Sequence, residues 1–146
     1  MIRALVAIAL ATVLVVVLLV LRTRFIVVRV VGTSMEPTLH DGARVIVRRT
    51  TLNRVGQGQL VVFASPAPEV ITASGDPPWR VKRVVALPGD AVPHDQVPEL
   101  RDPAIPLVPA GHMVVLGDNK SASYDSRRAG YIDGSTLLGI VIRTLT

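Results

Sequence analysis

One serine of this chain sits where a nucleophile could be presented. Ser34 lies in Gly32-Thr33-Ser34-Met35-Glu36-Pro37-Thr38-Leu39, between the apolar runs Phe25 to Val31 and Val45 to Val47. Pro37 blocks a helix and biases Glu36 away from the α region. Gly32 leaves room for another chain to approach. A hydroxyl held on a stiff turn at a strand end still needs an adjacent base before it can attack. The same octapeptide also reads as an ordinary hairpin turn.

Lys82 bears on that choice. It lies inside the apolar stretch Trp79 to Leu87, where an ammonium is costly unless it is neutral or paired. The chain has 14 Arg and only 2 Lys, at 82 and 120. Arg keeps its proton in a protein, whereas a buried Lys can lose it. Lys at 82 therefore points to a place where deprotonation matters. The competing reading is a strand lysine whose head snorkels to water. A third stretch, Gly117 to Gly130, is the densest polar run and has the composition of a structured loop. Its hydroxyls can orient a neutral lysine, and its acids can pair with Arg83.

Histidine offers a second base. Ser34, His112 and Asp118 can be written as a triad. However, His40 and His112 fall in turns or at a strand start, and His94 lies in a proline-rich segment. No paired-ligand spacing such as HExxH occurs, so no metal or other cofactor is expected.

The positioning elements are mostly strands. Phe25–Val31, Ala43–Arg49, Gln59–Ala64, Trp79–Leu87, His112–Leu116 and Gly139–Leu145 are rich in Val and Ile. Turn signals separate them, among them Asp41-Gly42, Pro88-Gly89-Asp90 and Asp133-Gly134. The pattern predicts a small, mostly antiparallel β-barrel or folded sheet. Two proline-rich segments read as excursions: a hairpin tip or surface loop over 65–78, and an extended, loosely structured crossing over 91–109.

Ahead of the strands lies an apolar segment. Ala4 to Leu21 carries no charge over 18 residues. At ~1.5 Å per residue it reaches ~27 Å, enough to cross the hydrocarbon core as a helix. Leu21-Arg22-Thr23-Arg24-Phe25 is not a small-residue cleavage site, which favours an uncleaved anchor over a removed signal. The expected organisation is an anchor over 1–24, spanning about 4–21, and a β-domain over 25–146. Arg22, Arg24 and Arg29 follow the span and only Arg3 precedes it. A bare positive-inside count would thus leave the domain in the cytoplasm, although that rule weakens for large translocated domains.

Composition excludes several classes. The net charge of +5 falls to +2 without Arg3, Arg22 and Arg24, leaving 13 basic against 11 acidic residues. Five aromatic residues and no dense basic run argue against nucleic-acid binding. The absence of cysteine excludes disulfides, thiolate metal sites and cysteine nucleophiles.

Four stretches together resemble the type I signal peptidases, membrane-bound Ser/Lys proteases. Gly32 to Leu39 looks like their nucleophile box, and Val81 to Asp90 resembles their general-base box. Gly117-Asp118-Asn119 with Ser123, Asp125-Ser126-Arg127 and Gly130 resembles a third box. Gly58 to Phe63 is similar to a fourth, with Gln59 where Asp is common. The resemblance implies Ser34 as nucleophile, uncharged Lys82 as general base, and Ser123 as the residue that hydrogen-bonds and aims Lys82. It implies structural ion pairs Arg83–Asp118 and Asp125–Arg127, and an oxyanion donor in the Ser34 backbone N–H. Gly32 occupies the position where many members carry a serine hydroxyl as second oxyanion donor. Thr33, next to it, should point the other way if the segment is extended.

The same resemblance implies a β-fold docked on the bilayer. The enzyme would be single-pass in the plasma membrane, with a cytoplasmic N-terminus and the catalytic domain outside. Exported preproteins would be cut after small residues of Ala-x-Ala type, with the secretion machinery a candidate partner. Lys rather than His at 82 looks like the bacterial or organellar branch, so an organellar inner-membrane peptidase is the alternative. Two rivals remain: a non-catalytic membrane-tethered β-module, and a self-cleaving Ser/Lys protease of the SOS-repressor type. The latter carries a DNA-binding domain where this chain has an apolar helix.

Overall fold

The computed structural model describes residues 2–64, 79–100, 102 and 104–145. The excursion expected over 65–78 lies outside the described residues.

Helix α1 (Ile2–Arg24) runs for 23 residues, none of them buried by the rest of the chain. At ~1.5 Å per residue it is ~34 Å long. By length and composition it can cross a membrane. Arg22 and Arg24 occupy its last turn, beside the negative end of the helix dipole. The helix passes directly into the first strand, with no linker.

The strands are β1 (Phe25–Arg29), β2 (Arg44–Arg49), β3 (Leu60–Ala64), β4 (Trp79–Ala86), β5 (His112–Leu116), β6 (Ile132–Asp133) and β7 (Leu137–Leu145). They form one sheet in the order β1-β2-β7-β3-β4-β5-β6. Every pair is antiparallel. The result is a curled half-barrel, as the short Val- and Ile-rich runs predict. Register shifts at Ile46/Val47, Val62/Phe63 and Val84/Ala86 supply bends, because a bulge adds a residue to one strand and increases its local twist.

Valine dominates the interior. One cluster joins Val28, Val45, Val47, Val62 and Val81 to Met35 and Leu39 of the Ser34 turn. A second joins Val61, Phe63, Val84, Met113, Val115 and Ile140. Lys82 shares a face of β4 with Val84 and pairs with Val61 on β3. The sheet thus carries its lysine into an apolar layer.

Two expectations need correction. The 91–109 crossing is not loose. Its amide and carbonyl groups close on one another through Val92 N–H to Pro106 O (3.0 Å) and Val108 N–H to Asp90 O (2.8 Å). Val92, Val97 and Val108 are buried with Ala86 and Val114 in a third cluster. Strand β6 and the one-turn helix α2 (Ser126–Ala129) also went unpredicted, since two and four residues are too few to show a period.

Candidate active site

The Ser34 turn is fastened from below. Met35 and Leu39 are 1% and 2% exposed, and Leu39 N–H bonds Met35 O at 2.9 Å. Glu36 N–H bonds Thr33 O at 3.1 Å. The segment is therefore a turn rather than the extended strand considered for Thr33. Gly32 adopts φ +88°, a left-handed conformation that favours glycine. A Cβ at 32 would meet nothing within 4 Å, so the backbone and not crowding requires Gly there. The Gly32 amide, placed above with the oxyanion group, donates instead to Asp41 Oδ1 at 2.7 Å. That bond closes the turn and commits the amide.

Lys82 reaches the serine from the sheet. Its Nζ donates to Ser34 Oγ at 2.5 Å while the side chain is 2% exposed. Burial pushes the Lys82 ammonium down to about 8, against a weaker upward pull from Asp125. Arg80 and Arg127 add further downward repulsion. Desolvation is the dominant cause, as expected of a cation among valines.

The polar loop closes the site from the other side. Asn119 N–H donates to Ser34 O at 3.0 Å, and Asn119 Nδ2 donates to Thr33 O at 3.2 Å. These bonds clamp the successive carbonyls of Thr33 and Ser34. Ser123 Oγ donates to Asp125 Oδ2 at 2.6 Å. The direct bond from Ser123 to Lys82 expected above is replaced by this one. Asp125 also accepts from Gly117 N–H at 2.8 Å and from Arg127 Nε and Nη2 at 2.9 and 2.6 Å. Burial alone would raise its carboxyl, but the bonds from Arg127, Gly117 and Ser123 outweigh that and hold it at about 2. The buried carboxylate therefore stays ionised and fixes the Ser123 hydroxyl.

A second ion pair flanks the first. Arg83 Nε and Nη2 bond the two oxygens of Asp118 at 2.9 and 2.7 Å. Arg83 Nη1 donates to Gly58 O at 2.8 Å, and Thr38 Oγ1 donates to Asp118 at 2.5 Å. The Arg83 guanidinium, chiefly through these bonds, lowers the Asp118 carboxyl. The bidentate pair ties β4, the Ser34 turn and the polar loop together.

The histidine triad does not assemble. Asp118 is engaged by Arg83 and Thr38, and His112 sets its Nδ1 2.9 Å from Ala110 O. Its ring packs edge-on against Tyr131.

Three contributors carried no role in the sequence reading. Thr38 and Asn119 lie inside recognised stretches, but only contact across the fold reveals what they bind. Gly117 is the third. A Cβ there would overlap the Ser123 side chain and come within 2.7 Å of Ser34 O. Gly117→Ala is therefore expected to cost about 1–3 kcal/mol by overpacking and to lower kcat by displacing both serines. Urea denaturation and kinetics check this together, and an unchanged kcat would contradict it.

A serine hydroxyl against a buried lysine, on a curled antiparallel sheet behind an apolar helix, defines a β-protein of Ser/Lys type. Comparison with known proteins agrees. The chain belongs to the family described as signal peptidase, peptidase S26, whose model matches residues 1–98 and 93–145. A probable signal peptidase I-2 of Synechocystis is 31% identical over 126 residues, covering 74% of this chain and 57% of the relative. The mitochondrial ATP-independent inner membrane protease subunit 1a of Arabidopsis thaliana is 35% identical over 113 residues, covering 74% and 62%. Signal peptidase IB of Staphylococcus aureus is 31% identical over 146 residues, covering 75% and 72%. The chain thus spans less than two thirds of the first two relatives.

Proposed function

We propose that this chain is a membrane-anchored serine endopeptidase that removes N-terminal signal peptides from exported preproteins. The carrying observation is the 2.5 Å contact between Lys82 Nζ and Ser34 Oγ, made by a lysine that is 2% exposed. The neutral Lys82 amine takes the Ser34 proton as Oγ attacks the scissile carbonyl. An acyl-enzyme forms, Lys82-H⁺ returns the proton to the leaving amine, and a water deprotonated by Lys82 then releases the new carboxyl end. The Ser34 backbone N–H stabilises the oxyanion. Ser123, Asp125 and Arg127 position the base, and Arg83 and Asp118 position the turn.

Residues 1–24 form the anchor and 25–146 the catalytic domain. Tethering confines enzyme and substrate to one membrane and raises their effective concentration. Residues before the cut add as a strand to a sheet edge, and small pockets select Ala-x-Ala. The N-terminus is cytoplasmic, the domain lies outside the plasma membrane, and the export machinery is a candidate neighbour. The 35% identity to a mitochondrial inner-membrane protease supports an organellar membrane as the second reading.

The test is incubation of detergent-solubilised protein with an exported preprotein, with the cut mapped by mass spectrometry. One cut after a small residue at the end of the signal sequence is expected. No cut, or cuts scattered through the mature region, would contradict the proposal. Topology is checked separately. The protein should resist carbonate extraction, and protease added outside the cell should digest residues beyond about 25. Digestion only from the cytoplasmic side would reverse the orientation.

A further inference from the structure

Seven of the 14 arginines fall between residues 22 and 54, where only Glu36 and Asp41 are acidic. Four of them, Arg24, Arg48, Arg49 and Arg54, line one pocket of about 170 Å³ together with Phe25 and Thr50. Among the described residues none of the four forms an ion pair or a side-chain hydrogen bond. Arg83 and Arg127, by contrast, are each held by a carboxylate. Four like charges around one cavity repel one another, and nothing in the catalytic arrangement uses them.

The pocket's place in the fold identifies what would offset that repulsion. Arg24 ends α1 and Phe25 begins β1, which pairs with Arg48 of β2. The pocket therefore sits where the apolar helix meets the sheet. The neighbouring face of the β1–β2 hairpin continues it. Phe25, Val27 and Arg29 lie there opposite Arg48, Ile46 and Arg44, with no acid. Val27 is 47% exposed. An apolar and cationic strip of this kind matches the boundary between acyl chains and anionic headgroups.

We infer that Arg24, Arg48, Arg49 and Arg54 bind the phosphodiester headgroup of an anionic membrane lipid at the point where α1 leaves the bilayer. Guanidinium suits this role because its donors match phosphate oxygens two at a time. The pocket is smaller than the ~300–1,000 Å³ of sites that enclose drug-sized ligands. It fits a phosphate and its first ester carbons, with the acyl chains lying along α1. Such a lipid would fix the tilt of the sheet on the membrane and so the height of the Ser34 turn. The inference rests on α1 being membrane-embedded, and not on the Ser34–Lys82 chemistry.

Native mass spectrometry of the full chain, released from detergent with added phosphatidylglycerol or phosphatidylcholine, tests it. The wild type is expected to retain one phosphatidylglycerol, preferred over phosphatidylcholine by about tenfold or more. The variant R24Q/R48Q/R49Q/R54Q should lose that preference, and Arg128→Gln, an exposed change on α2, should keep it. Equal retention of the two lipids by the wild type would overturn the inference. So would a quadruple variant that holds phosphatidylglycerol as the wild type does. Displacement of the lipid by millimolar inorganic phosphate would make this a soluble-phosphate site and also overturn it. Should the quadruple variant misfold, the wild-type comparison and Arg48→Gln alone still decide. Carbonate extraction reads the embedding of α1 separately, so failure of the pocket and failure of the anchor are distinguishable.

Discussion

Lys82→Met is expected to abolish cleavage and, at neutral pH, to stabilise the folded protein. Met matches the length of Lys and suits the layer formed by Val61 and Val84. Burial lowers the Lys82 ammonium from its ordinary value near 10.5 to about 8. The unfolded chain therefore holds this proton up to about pH 10.5, and the folded chain only up to about pH 8. Between those values the unfolded state binds more protons, so stability rises with pH. Below pH 8 the cost is complete. At about 1.4 kcal/mol per pH unit it amounts to roughly 3 kcal/mol. Removing the amine relieves that cost, and the advantage of Lys82→Met should shrink as the pH approaches 10.5. Urea denaturation at neutral and alkaline pH reads the effect. A Lys82→Met protein less stable than wild type at pH 7 would contradict it. Lys82→Arg separates charge from basicity, since Arg keeps the cation but cannot serve as a base. It should be as inactive as Lys82→Met and gain no stability. Lys120 is exposed on the polar loop, and Lys120→Arg should be nearly silent.

Ser34→Ala is expected to remove activity by roughly 10⁴-fold or more, the scale seen when a nucleophile is deleted from a concerted set of groups. The fold should survive. Met35 and Leu39 anchor the turn, and Asn119 binds backbone atoms rather than the hydroxyl. Retention of a tenth of wild-type kcat/KM would exclude Ser34 as the nucleophile. Ser123→Ala should cost less, because Asp125 keeps Arg127 and the Gly117 amide after the hydroxyl is gone.

Much of this arrangement is legible in the sequence. The strands are short alternating or continuous valine runs with clear turn residues, so six of the seven appear in the sequence within about two residues of their ends. Lys82 stood out because a chain that otherwise writes Arg places Lys inside an apolar strand. What escaped was long-range. Whether Ser123 bonds Lys82 or Asp125 depends on the geometry of one loop, and no spacing rule reaches that. The occupied Gly32 amide depends on Asp41, nine residues away across a turn. Gly117 looks like a flexible loop glycine until Ser123 and the Ser34 carbonyl are found where its Cβ would lie. The 91–109 segment appeared loose because its prolines suppress periodicity, while its three buried valines are spaced to suit neither a helix nor a strand.

The central claim is that a neutral Lys82 deprotonates Ser34. The pH dependence of kcat/KM tests it most directly, because that ratio reports the ionisations of the free enzyme. With Lys82 held at about 8, about a tenth of the enzyme carries the neutral amine at pH 7. kcat/KM should rise as a single proton is lost, with its midpoint near pH 8. A rising limb centred near pH ~6.5, the ordinary range of histidine, and abolished by His112→Asn would contradict the account and move the base to His112.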